Sequence, residues 1–194
     1  MTDNARLQTV LDMIDAANNA DPTIETTEET SAPAALLYGR RMSEVLNEFA
    51  PDAPELLQIA VRAQHIERWK RKRSDYPEGK PGYLQWRRDA AIFHGERTSA
   101  LMQQAGYDEA ERDRVALLLS KKAIKKDPDA QTLEDVACLV FMRWYFGPFA
   151  ATRSDDELFQ IVQKTARKMS PKGRETALTL PLPANLVPAV TSAG

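Results

Sequence analysis

Apolar residues recur at three- and four-residue spacing along most of this chain, and no segment stands out with the two-residue alternation of a half-buried strand. Leu7, Val10, Leu11, Ile14 and Ala17 make one such stripe. The break at Asp21-Pro22 ends it, which predicts an N-terminal helix within residues 1–21 and an acidic, threonine-rich loop at 22–30. Ser31 is placed to cap a second helix with Pro33 in its first turn, where a missing N–H costs nothing. Leu36, Leu37, Met42, Val45, Leu46 and Phe49 carry that helix toward Pro51. A third begins near Pro54, presents Leu56, Ile59, Ala60, Ala63 and Ile66, and is expected to end within WKRKRSDYPEGKPG, whose prolines and glycines break regular structure.

From Tyr83 the residues Trp86, Ala90, Phe93 and Leu101 describe a helix closed by Gly106, and Asp108 with Glu111 has the spacing of a capping box. Val115, Leu118 and Leu119 form the buried side of the helix so started. After Asp127-Pro128-Asp129 comes the most apolar segment, Leu133 to Phe146, apolar nearly all round and so expected at the centre of a bundle. Ser154 and Glu157 repeat the capping-box spacing ahead of Leu158, Ile161, Val162, Thr165 and Met169, with Pro171 and Gly173 as a stop. The pattern predicts an all-α, single-domain bundle of about seven helices over residues 1–180, with an extended Pro-rich tail at 181–194.

Composition changes this picture little: of 194 residues, 28% are charged and 43% hydrophobic, as in an ordinary soluble protein. The formal net charge of −2 makes any basic cluster a local feature, which weighs against bulk nucleic-acid binding. Cys138 is the single cysteine, so a disulfide framework and a cysteine-rich zinc site are excluded, and a reducing cytoplasm is the expected location. The N-terminus has no basic start followed by an apolar run, and no window approaches 18 apolar residues, so neither export nor a membrane partner is expected.

Candidate chemistry centres on QHIERWKRKRSDYPEGKPGYLQWRR, Gln64 to Arg88, which holds one of the two histidines, His65; the other is His94. A lone histidine beside an apolar face is more often a hydrogen-bonded structural residue than a ligand, and it is the pairing that makes these two candidates. Asp135 shares a side of the central helix with Leu139 and Met142, so it is expected to be partly buried and to need an arginine, a helix N-terminus or a metal as partner. Two imidazoles and a carboxylate suit a divalent metal ion with open water positions, which would activate water against a phosphate ester. Arg62, Arg73, Arg87 and Arg88 are the cations expected to hold phosphate. Trp69, Tyr76, Tyr83 and Trp86 are read either as stacking surfaces or as packing. KMSPKG at Lys168 to Gly173 resembles the KMSKS signature of class I aminoacyl-tRNA synthetases, but no HIGH-type sequence or alternating strand and helix pattern accompanies it.

The segments AVRAQHIERW, SDYPEGKPGYLQWRR, FHGE, AGYDEAERDRV, DPDAQTLEDVACLVF and KTARKMSPKGRETAL, in this order, resemble the domain of unknown function 4202 family over about residues 51–180. The resemblance implies a compact helical protein with His65, Trp69, Tyr76, Tyr83, Trp86, Arg87, His94, Gln131, Glu134 and Asp135 as signature positions. A more distant resemblance is to the HD superfamily of metal-dependent phosphohydrolases, which would make His65, His94 and Asp135 metal ligands. Gly95 stands where that pattern has the aspartate following the second histidine, leaving Glu96 or Glu134 to supply the missing carboxylate and take a proton from water. The function so implied is a phosphohydrolase acting on a phosphorylated small molecule or nucleotide. The alternative is a non-catalytic protein whose basic-aromatic loop recognises RNA, a nucleotide or an acidic protein partner.

Overall fold

Helical periodicity is realised as ten α-helices and one two-stranded ribbon in a computed structural model that describes residues 3–27, 30–122 and 124–193. The chain divides into two compact units, residues 1–122 and 123–194. The first contains α1 (Asp3–Asn18), β1 (Ile24–Thr26), β2 (Ser31–Pro33), α2 (Ala34–Phe49), α3 (Glu55–Ala63), α4 (Gly79–Gln104) and α5 (Glu109–Ser120). Val10 and Ile14 of α1, Met42 and Leu46 of α2, Leu57 and Ile59 of α3, Met102 of α4 and Val115 and Leu118 of α5 are among its fully enclosed side chains. Apart from Leu57 and Met102, which lie one residue from the expected Leu56 and Leu101, these are the stripe positions of the sequence, and their burial supplies the main stabilisation of the unit.

Four expectations are corrected in this unit. Part of the loop at 22–30 is a strand: β1 pairs antiparallel with β2, Glu25 opposite Ala32, while Glu28 and Glu29 of that loop lie outside the described residues. Ser31 is therefore a strand residue and Pro33 precedes α2. It is Asp21 that satisfies the start of α2, its carboxylate accepting the Ala35 N–H at 3.0 Å and the Thr23 N–H at 2.9 Å. The third helix stops at Ala63, short of the histidine. The Pro/Gly run in turn opens α4 instead of only breaking structure, because Pro81 falls in the first turn, where no intrahelical N–H bond is lost.

The second unit contains α6 (Pro128–Val140), a π-helical turn (Phe141–Tyr145), α7 (Phe146–Ala150), α8 (Asp155–Ala166), α9 (Pro171–Ala177) and α10 (Val187–Thr191). The apolar run from Leu133 is thus two helices joined by the wide turn. Pro171 is the first residue of a new helix capped by Ser170, and the tail is helical in part, burying Leu186, Ala189 and Val190. The count exceeds the expected seven because α7, α9 and α10 are too short to show a 3.6-residue period.

Both capping boxes form as read. Asp108 accepts the Glu111 N–H at 2.8 Å and Ser154 accepts the Glu157 N–H at 3.4 Å, with the glutamates reaching back in each case. Replacing Asp108 by Ala, or Ser154 by Ala, is expected to lower stability by about 1 kcal/mol each, measured by chemical denaturation, and an unchanged midpoint in both would refute the capping role.

Candidate functional site

The site in the first unit is built on the turn that ends α3. Asn18, at the end of α1 and 1% exposed, accepts the Glu67 N–H at 2.9 Å. Glu67 takes a left-handed conformation at φ 49°, unusual for a residue with a side chain. Its buried carboxylate holds Lys70 Nζ at 2.7 Å and Arg97 Nε at 2.8 Å. Burial pushes this carboxyl up, but those two hydrogen bonds and charges prevail and leave it below its ordinary pKa. The fixed turn aims the Ile66 carbonyl at α4, where His94 Nδ1 donates to it at 2.8 Å.

That hydrogen bond decides the chemistry of His94. A carbonyl accepts only, so Nδ1 carries the proton and Nε2 presents a lone pair. His94 is 3% exposed, and among the described residues its buried Nε2 has no hydrogen-bond partner. Burial lowers its pKa to about 4, with Arg68, Lys121 and Arg71 adding to the effect and the Ile66 bond opposing it. The next residue, Gly95, faces α5: a Cβ there would stand 3.4 Å from Ala116 Cβ. The position after His94 is thus packed against a neighbouring helix, and Glu96 is exposed.

His65 lies in the turn, half-buried, stacked on Tyr38 of α2 at 4.3 Å between ring centroids and 20° between planes. Its ring is 6.0 Å from that of His94. Desolvation holds its pKa well below the ordinary value, and Arg68, His94, Lys121 and Arg87 lower it further. Both imidazoles are therefore neutral at pH 7, and the strongest ionic charges acting on them are cationic. Among the described residues none of Arg68, Arg71 and Arg87 is paired with a carboxylate. Arg68 and Arg71 instead lie over aromatic rings, Arg68 4.6 Å from that of Trp86 and Arg71 4.7 Å from that of Phe93.

The residues expected to hold substrate separate into groups. Arg62 is committed to Asp15 through two hydrogen bonds of 2.7 and 2.8 Å. Arg73 staples its own loop, donating to the Tyr76 and Gly79 carbonyls. Trp86 donates to the Arg71 carbonyl at 2.7 Å and so tethers the loop to α4. Tyr83 is exposed, 5.9 Å from Trp86 and 5.8 Å from the Arg87 guanidinium. Trp69 and Tyr76 are half-buried, and Arg88 is exposed beside Asp89. Arg68, Tyr38 and Lys121 were missed by sequence reasoning. Arg68 alone carried a signal, standing immediately before WKRKR.

In the second unit Asp135, 2% exposed, serves as an acceptor: its Oδ1 takes the Ser170 N–H at 2.8 Å and the Gln131 amide at 3.1 Å. Gly173 permits this, since a Cβ there would come within 2.6 Å of that oxygen. Desolvation raises the Asp135 pKa, the bonds from Ser170 and Gln131 oppose the rise, and Glu134 adds to it. Glu134 is buried, with Lys168 Nζ at 3.6 Å. Asp135 thereby fixes the start of α9 beside a cleft of about 410 Å³ bordered by Lys125, Lys126 and Arg174 over Met169 and Pro128.

Among the described residues no group of three or more His, Cys, Asp or Glu side chains is gathered to hold a metal ion, and no helix is long and apolar enough to cross a membrane. The first unit defines an all-α protein with a neutral histidine pair set among arginines. The chain matches the family described as Domain of unknown function (DUF4202) over residues 8–190 and belongs to it. No curated protein and no solved structure matches it.

The folded His94 titrates near 4 and the unfolded one near 6.5, so between those values the unfolded chain binds the extra proton and stability falls as pH falls. The His94 contribution lost across that window is about 3 kcal/mol. Denaturation of wild type and His94→Gln at pH 7 and pH 4.5 should show a steeper loss in wild type, and parallel profiles would contradict a buried neutral imidazole. For Asp135 the folded pKa is raised, so its ionisation costs stability as pH rises past the ordinary carboxyl range. Asp135→Ala, which orphans the Ser170 N–H, should lose about 1–3 kcal/mol, while Asp135→Asn, which keeps the acceptor, should lose clearly less in the same denaturation assay. Equal losses would argue against the hydrogen-bond role.

Proposed function

We propose that the His65–His94 site binds a phosphorylated small molecule or nucleotide and hydrolyses its phosphate ester. The observation that carries this reading is the unpartnered Nε2 of buried His94, 6.0 Å ring to ring from His65, among Arg68, Arg71, Arg87 and Lys121. Guanidinium groups unpaired with any carboxylate favour an anion, and arginine presents donors matched to phosphate oxygens. A bound phosphate offsets the cations that hold the His65 pKa down, so that in the complex its ring takes the proton of the attacking water and returns it to the leaving alcohol oxygen, while the arginines stabilise charge building on the phosphoryl oxygens.

The divalent metal expected from the HD resemblance fits these residues poorly. Gly95 against Ala116 leaves no carboxylate beside His94, and the cations acting on both imidazoles oppose a further positive charge. Water activation is therefore assigned to His65, and Glu96 and Glu134 have no part in it. The binding-protein alternative shares the same anion site. Its RNA form is favoured less, because the rings of Trp86 and Phe93 already carry Arg68 and Arg71.

A panel of phosphorylated metabolites, scored for phosphate or pyrophosphate release by wild type and His65→Ala, tests the reading. One or more compounds should be hydrolysed, with the rate reduced at least a hundredfold in the variant. Binding without release identifies the non-catalytic alternative, and the absence of both defeats the anion site. RNA binding that falls steeply with salt would favour the nucleic-acid form.

A further inference from the structure

His94 adds a requirement beyond negative charge. Its Nδ1–H is spent on the Ile66 carbonyl at 2.8 Å, so Nε2 can only accept, and it is buried without a donor. The groups acting on it are His65, Arg68 and Arg71 from the turn and Lys121 from the end of α5, with Arg87 of α4 and Tyr38 of α2 ranged about His65. Protonating Nε2 to make it a donor is opposed by burial and by every cation in that set. A ligand that fits must therefore bring negative charge for the arginines and a proton for the imidazole.

Few common anions carry both at neutral pH. Sulfate, carboxylates and phosphodiesters are fully ionised and would set lone pairs against Nε2. A phosphate monoester retains a proton with a pKa of about 6; the cations resist its return to a bound dianion, but the ligand stays anionic and the hydrogen bond to Nε2 offsets that cost. Resting on the anion-site reading above, we propose that His94 makes this site selective for monosubstituted phosphate, the ligand binding with one proton shared between a phosphoryl oxygen and Nε2. The substrate class is then a phosphate monoester, including a terminal nucleotide phosphate, and excludes the diester backbone of nucleic acid. His94 contacts the ligand phosphate in this arrangement, while His65 is left to act on water.

Calorimetric titration of the full chain with phenyl phosphate, methyl phenyl phosphate and inorganic sulfate, in buffers of different ionisation enthalpy, tests this. At pH 8 phenyl phosphate should bind with uptake of about one proton, since its own pKa is about 6. Sulfate and the diester should bind at least tenfold more weakly. In His94→Gln, whose amide can donate, the preference over sulfate should fall toward parity. Equal binding of all three by wild type, or binding of phenyl phosphate without proton uptake, overturns the selectivity while leaving an anion site in place. Binding of none of them overturns the anion site itself. The wild-type measurements decide the matter even if the variant does not fold.

Discussion

The hydrogen bond from His94 Nδ1 to the Ile66 carbonyl is the constraint on which the candidate site depends. It ties the long α4 to the turn after α3, and it assigns the tautomer of a buried imidazole. The residue that follows Ile66 in the turn is itself held in a strained conformation. Glu67 sits at φ 49°, its amide taken by Asn18 and its carboxylate by Lys70 and Arg97. The strain is offset by a buried, charge-assisted network contributed by α1, the turn and α4, an arrangement typical of places where backbone geometry is over-determined.

Around this fixed core the basic stretch loses its appearance of a uniform charged surface. Arg62 and Arg73 hold the fold together. Arg68 and Arg71 are laid over Trp86 and Phe93, which orders long side chains whose freedom would otherwise be costly to lose on binding. Trp86 and Phe93 thus serve to position these two cations. The local excess of positive charge faces neutral imidazoles and, among the described residues, meets no carboxylate from Arg68, Arg71 or Arg87.

Much of the fold was legible because its signals are local. The two capping boxes, the Asp127-Pro128 start of α6 and the stop at Gly106, φ +88°, are written in adjacent residues. The end of α3 was not, because it depends on Asn18 reaching across 49 positions of chain to Glu67. The Pro/Gly run was misread for a related reason: a proline that breaks a helix interior is harmless in a first turn, and only the register of α4 tells the two apart. Of the site, the histidine pair was visible from its rarity, whereas the assignment of Arg62 to Asp15 and the selection of Arg68 required the geometry.

Gly95 sharpens the comparison with metal-dependent hydrolases. A carboxylate beside the second histidine neutralises a cation and makes that histidine part of a ligand set. Here the corresponding backbone lies against Ala116, and the charges felt by His65 and His94 come from Arg68, Arg71, Arg87 and Lys121. With cations in place of a neighbouring carboxylate, the imidazole lone pair that would serve a metal is left to accept a hydrogen bond. An acceptor-only nitrogen in a cationic setting is satisfied by an anion that is also a donor. Close packing of two helices and the tautomer of one ring together leave His94 with a buried lone pair and no carboxylate at the residue that follows it.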